Sequence, residues 1–123
     1  MEEGLIRKLD LGSLGEEEAC TYLKKQRWKI VARNFRVPEG EIDIISRRGK
    51  LMIFVEVKTR SSAVYGQPWE AVGHRKRKRL KTAAGIYIHE HSLQGDLEFR
   101  FDVISITLDD ALKPKLEWIQ DAF

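Results

Sequence analysis

The sequence predicts an α/β domain: a mixed β-sheet flanked by helices, in the order helix, three strands, helix, strand and a short C-terminal helix. Three observations carry that expectation. Two Ile/Val-rich runs, Glu41 to Ser46 (EIDIIS) and Leu51 to Thr59 (LMIFVEVKT), enclose Arg47-Arg48-Gly49-Lys50 and read as a hairpin. Helical spacing of apolar residues recurs on either side of them, at Ala19, Tyr22 and Leu23 and again from Trp69 to Ile88. A further apolar run, Leu97 to Leu108 (LEFRFDVISITL), follows the second helical stretch, as a strand must if it is to join the same sheet through a helical crossover. The 123 residues, 42% of them hydrophobic, suffice for one buried core and not for two independent domains.

Taken in order, residues 1–12 hold no sustained period and contain Gly4 and Gly12, so they are expected to be a loosely ordered lead-in to a single domain at 13–123. Ser13 fits a helix N-cap, and the first helix should run to about Arg27. Trp28 to Phe35 is the first strand, Pro38-Glu39-Gly40 a turn, and the hairpin follows. Residues 60–68, with Ser61, Ser62, Gly66 and Pro68, make a loop long enough to suggest function. The second helix begins near Trp69. After the last strand, Leu112 to Phe123 is expected to be a short helix interrupted by Pro114.

No apolar run approaches the roughly 18 residues of a membrane span, and the opening lacks the pattern of a signal peptide, so a cytoplasmic location is expected. The one cysteine, Cys20, excludes an internal disulfide and reads as a small buried residue. The net charge of +3 is modest, but its distribution is not even. Arg75, Lys76, Arg77, Lys78, Arg79 and Lys81 stand together with no acid between Ala71 and Ala83, which points to a polyanionic partner. His89 and His91 have no third ligand nearby in sequence, and neither a phosphate-binding glycine loop nor a G-x-S-x-G serine occurs.

The acids make the sharper pattern. Strand alternation puts Glu56 and Lys58 on one face and Val55 and Val57 on the other. With a turn at Arg48-Gly49, Asp43 falls opposite Phe54 and diagonal to Glu56, while Glu41 faces Glu56 directly. Two like charges about 6 Å apart at an effective dielectric of about 20 repel by roughly 3 kcal/mol, so such a cluster calls for a cation. Carboxylates and water suit Mg²⁺ or Mn²⁺ rather than zinc. The alternative is a solvated face whose acids pair with nearby Arg and Lys. Glu16 shares a helix face with Ala19, Cys20 and Leu23 and should point inward, yet Ser13-Leu14-Gly15-Glu16 also fits a capping box that would occupy its carboxylate. Lys76 lies on the apolar side of the second helix, in position to reach the acids, whereas Arg75, Arg77, Lys78 and Arg79 spread over more solvated faces.

An acid on the first helix, Asp43 and the Glu56-Val57-Lys58 triplet together resemble the PD-(D/E)-x-K nuclease superfamily, especially its Holliday-junction resolvases. The runs GSLGEEEACTYL, ARNFR, GEIDII, FVEVKTR, the second-helix lysine and RFDVI are similar, in order and spacing, to the YraN-like family of small bacterial proteins. The resemblance implies a restriction-endonuclease-like fold, Asp43 and Glu56 as metal ligands, Lys58 as the catalytic lysine, and Glu16 as the helix-one acid, catalytic and a direct or water-mediated ligand. The superfamily's proline is absent, since Glu41-Ile42 precedes Asp43. The expected activity is Mg²⁺- or Mn²⁺-dependent endonucleolytic hydrolysis of branched or structured DNA. Arg75, Lys76, Arg77, Lys78 and Arg79 would hold the backbone, and a homodimer would act where two cuts are needed. The competing expectation is a non-catalytic nucleic-acid-binding or adaptor module on the same fold.

Overall fold

A computed structural model describes residues 2–61, 73–93, 95–108, 111 and 113–123. Helix α1 spans Glu2–Lys25 and is followed by strands β1 (Lys29–Val37), β2 (Gly40–Arg48) and β3 (Leu51–Ser61). Helix α2 (His74–Glu90) then leads to β4 (Glu98–Leu108) and β5 (Pro114–Ile119). The strands lie in sequence order, β1-β2-β3-β4-β5. Every neighbouring pair is antiparallel except β3 and β4, which are parallel and therefore need the crossover that α2 supplies.

The sheet is covered on both faces, as the expected α/β class requires. Against α1, Ala19, Cys20 and Leu23 pack on Ile44, Ile53, Val55, Ile104 and Ile106. Against α2, Leu80, Ala83, Ala84 and Tyr87 pack on Ile42, Ile45, Met52 and Phe54. The alternation of β3 explains how one strand feeds two cores: odd positions from Ile53 to Val57 face α1, and Met52 and Phe54 face α2. Helix α1 stops where Arg27 takes a left-handed conformation (φ 68°), and Trp28 N–H donates to the Leu23 carbonyl at 2.9 Å, closing a Schellman turn that delivers the chain into β1.

Three expectations are corrected. The first helix begins at Glu2, not at Ser13. Gly4 and Gly12 cost the helix about 1 kcal/mol each relative to alanine, which does not stop it. The last segment is a strand, not a helix: Pro114 pairs with Leu108 at the head of the sheet's edge strand, where a missing N–H is tolerated, and Leu116 and Trp118 alternate with Lys115 and Glu117 at the period of a strand. The hairpin turns on Gly49-Lys50 rather than Arg48-Gly49. Arg48 pairs with Leu51, and Gly49 adopts φ 61°, the positive angle such a two-residue turn needs in its first position. Of the loop expected at 60–68, Arg60 and Ser61 belong to β3, and the remainder, with Trp69, lies outside the described residues. No helix among the described residues is long and apolar enough to cross a membrane.

Candidate active site

The two-residue turn fixes where the acids stand. Its ladder runs up to Ile44 opposite Val55, so the next level brings Asp43 beside Glu56, not beside Phe54. The shift preserves parity, so the faces expected of β2 and β3 hold although the register does not. Beyond Ile44 and Val55 the strands part: Val57 N–H donates at 2.8 Å to Asp43 Oδ2, a side chain, instead of to a β2 carbonyl. Asp43 thus stands in the fork of the sheet. Across β1 it is level with Asn34, since Arg33 pairs with Ile44 and Phe35 with Ile42. Asn34 is left-handed (φ 52°), a conformation asparagine tolerates, and the strand turns over there: Arg33 meets Glu17 of α1, whereas Phe35 packs in the α2-side core. Ile42 and Ile44 part between the two cores in the same way.

Glu56 is buried, its side chain 5% exposed, on the α2 face of β3. Two ammonium groups converge on one of its oxygens, Lys76 Nζ at 2.5 Å from α2 and Lys58 Nζ at 3.9 Å from its own strand. Asp43 makes no ion pair among the described residues, although it feels the charges of Lys58 and Lys76. Burial first, then the neighbouring Glu56 charge, raises its pKa to about 7 against the relief given by the Val57 amide, with Glu16 adding further repulsion. Lys58 is lowered from its ordinary value, by burial and then by the nearness of Lys76. For Lys76 burial acts downward too, but the hydrogen bond to Glu56 and its charge outweigh it, and the net direction is up.

Both helices approach closely because glycines let them. A Cβ on Gly15 would collide with Thr59 Oγ1 of β3, and one on Gly40 would collide with the Arg79 carbonyl of α2. The first contact sets Glu16 over the fork from the α1 side, and the second lays α2 across the start of β2 so that Lys76 overhangs Glu56. Because α1 is already helical before Ser13, no capping box forms there, and that alternative for Glu16 falls away. Instead Glu16 Oε1 is buried with no hydrogen-bond partner among the described residues.

A cleft of about 670 Å³ opens between the fork and α2, lined by Glu41, Asp43, Glu56, Val57, Gly73, Arg75, Lys76 and Arg79. Glu41 sits on its rim as one half of an exposed ion pair with Arg36, its ladder partner on β1, at 3.3 Å, so it does not face Glu56 as the earlier register required. Helix α2 therefore divides its bases. Arg75, Lys76 and Arg79 border the acid cleft, while Arg77, Lys78 and Lys81, with His74, Thr82 and Phe123, line a second groove of about 450 Å³. The reading in which acids pair with nearby Arg and Lys on a solvated face describes Glu17 and Glu41; Glu56 does pair with Lys76 and Lys58 but is buried, and Asp43 makes no ion pair among the described residues. Among the described residues no three carboxylate, imidazole or thiolate side chains form a ready-made metal cage. The donor set is nevertheless all oxygen, carries more negative charge than its burial tolerates at Asp43, and includes the unpartnered Glu16 oxygen, so its chemistry fits a hard divalent ion.

Residues 15–106 match the model of Uncharacterised protein family UPF0102, a span that includes α1 from Gly15, the fork, α2 and most of β4. The chain belongs to this family. UPF0102 is the YraN-like family that the motifs resemble. Curated UPF0102 relatives are similar to it over four fifths or more of their length. That of Geobacter metallireducens is 49% identical over 118 residues, 96% of this chain and 95% of the relative. That of Geobacter sulfurreducens is 42% identical over 121 residues, covering 98% and 94%. In Syntrophotalea carbinolica the figures are 46% over 100 residues, 81% and 80%.

One charged group within this UPF0102 domain escaped the sequence reading. Asp102, fully buried on β4, accepts from Arg100 Nε and Nη2 at 2.8 Å each, from Trp118 Nε1 at 2.8 Å and from the Asp121 amide at 3.0 Å. Four donors satisfy the carboxylate, so its role is to tie β5 and the segment after it to β4. The i, i+2 spacing of Arg100 and Asp102 is visible in EFRFDV, but Trp118 can be recognised as a partner only when the C-terminal segment is a strand.

Proposed function

We propose that this protein is a Mg²⁺- or Mn²⁺-dependent nuclease acting on branched or structured DNA. The observation that carries the reading is the pairing of Asp43 with Glu56 in one cleft, beside Lys58 and under the basic first turns of α2. Asp43 and Glu56 would hold the ion, with Glu16 as a direct or water-mediated ligand. When bound, the ion supplies a water of lowered pKa and neutralises charge on phosphate oxygens. The protein's own groups do the rest. Arg75 and Arg79 hold the DNA backbone at the cleft mouth, and the second groove of α2 takes phosphates farther along with Arg77 and Lys78. Lys58, half shielded and lowered from its ordinary pKa, stabilises negative charge developing on the attacked phosphate. Two-fold cutting of a four-way junction would need two copies of the chain, one site on each strand.

Incubating a labelled panel of four-way junction, flap, single strand and plain duplex with Mg²⁺ or Mn²⁺ tests the reading, with Asp43→Ala as the control. Cleavage by wild type alone is expected. Salt-sensitive binding with no cleavage of any member would favour the second reading, a binding module, in which the Lys76–Glu56 ion pair is the resting state of the cleft rather than a step toward catalysis.

A further inference from the structure

Glu56 is the pivot of the cleft, because two cations compete for one of its oxygens and a divalent ion would have to share it. The competitors are unequal. Lys58 is confined to β3 and stands 3.9 Å away with its side chain 26% exposed. Lys76 is closer, at 2.5 Å, and yet its side chain is 47% exposed and rooted in the exposed first turn of α2. Glu56 cannot leave, being buried; Lys76 can. Arg75 and Arg79 border the same cleft and, among the described residues, have no carboxylate in ion-pair reach. A phosphate arriving there meets three cations, and of these Lys76 is the one whose departure exposes an acid.

We infer that Lys76 couples metal binding to polyanion binding: in the free protein its ammonium occupies the cation position at Glu56, and a nucleic-acid phosphate draws it away, opening Glu56 to a divalent ion. This rests on the nuclease reading and adds its regulation. Lys76 is then a positioning residue, acting on the ion through Glu56. The arrangement keeps the metal site closed to free divalent ions until substrate is present, and by linkage the ion must raise nucleic-acid affinity as much as nucleic acid raises the ion's.

Calorimetric titration of Mn²⁺ into wild type, Lys76→Met and Lys76→Arg, each verified as folded by circular dichroism, is the test. Lys76→Met should bind Mn²⁺ roughly tenfold more tightly than wild type, the scale of a part-buried ion pair removed from competition, and Lys76→Arg should resemble wild type. In parallel, the anisotropy of a labelled DNA duplex should reveal that Mn²⁺ strengthens binding to wild type more than to Lys76→Met. A loss of function through misfolding cannot mimic a gain in metal affinity. Equal or weaker Mn²⁺ binding by Lys76→Met would overturn the coupling while leaving the metal site standing. Absence of Mn²⁺ binding in both proteins would instead overturn the metal reading itself, and the coupling with it.

Discussion

Asp43→Asn should stabilise the metal-free protein, and by an amount that depends on pH. The substitution keeps the shape of the side chain and an acceptor for the Val57 amide but removes a charge that is buried beside Glu56 and makes no ion pair among the described residues. Asp43 is raised from 3.8 to about 7, a shift of about 3 units, which at about 1.4 kcal/mol per unit sets a ceiling of roughly 4 kcal/mol. Burial is the larger part of that shift and the Glu56 charge, which the two carboxylates share, the next; about half of the ceiling, ~2 kcal/mol, is the expected effect. The sign follows from proton binding. Between about pH 4 and 7 the folded protein keeps a proton on Asp43 that the unfolded chain has released, so this group makes stability fall as pH rises, and the penalty is complete above about 7. Thermal melts in EDTA should therefore place Asp43→Asn about 8 °C above wild type at pH 8, taking an unfolding entropy of ~2 cal/mol/K per residue, and only about 3 °C above it at pH 5. Other titrating groups are common to both proteins and cancel in the difference. A gap of the same size at both pH values, or a less stable variant at pH 8, would refute the account of a crowded, uncompensated carboxylate.

Lys58→Ala should abolish cleavage while changing DNA affinity less than twofold, because its ammonium is part-buried 3.9 Å from Glu56 rather than free in solvent; parallel loss of binding and rate would make it a simple phosphate contact. Replacing Arg75, Lys78 and Arg79 together by Ala should flatten the dependence of log affinity on log salt by up to about three units, which filter binding across a salt series would measure. Asp102→Ala should cost about 3 kcal/mol in urea unfolding, since it leaves the Arg100 guanidinium and the Trp118 N–H without their buried acceptor.

The sheet and its two cores were legible because alternation along β3 is strong, Ile and Val at odd positions and a carboxylate and ammonium at Glu56 and Lys58 among the even ones. The second helix was legible for the same kind of reason, a 3.6-residue spacing through Leu80, Ala84 and Tyr87, but it starts at His74, after an extended Gly73, and not near Trp69. What sequence could not supply was level. Parity survives a two-residue change of register, so nothing in the pattern distinguished Phe54 from Glu56 as the neighbour of Asp43; the backbone angle of Gly49 decided it. The two ends were misread because their information is not local. Strand β5 exists by pairing with β4 and through the Asp102 to Trp118 bond, and α1 continues through two glycines that punctuate a sequence more strongly than they interrupt a helix. Glu16 stayed ambiguous until the helix was seen to pass Ser13 without a cap.

The Gly49-Lys50 turn lies at the far end of the hairpin from the fork, touches none of the cleft residues, and yet acts as its ruler. Because the pairs from Arg48 with Leu51 to Ile44 with Val55 are counted off from that turn, one residue inserted there would slide β3 by a step against β2, and to keep its apolar side chains in their cores the hairpin would have to absorb the extra residue as a bulge or lose pairs. Either way Asp43 and Glu56 would cease to be level. Among homologous chains, then, the length of this exposed loop should be held as tightly as any residue in the cleft, while its side chains other than Gly49 are free to drift: what is selected is a count, not a chemistry.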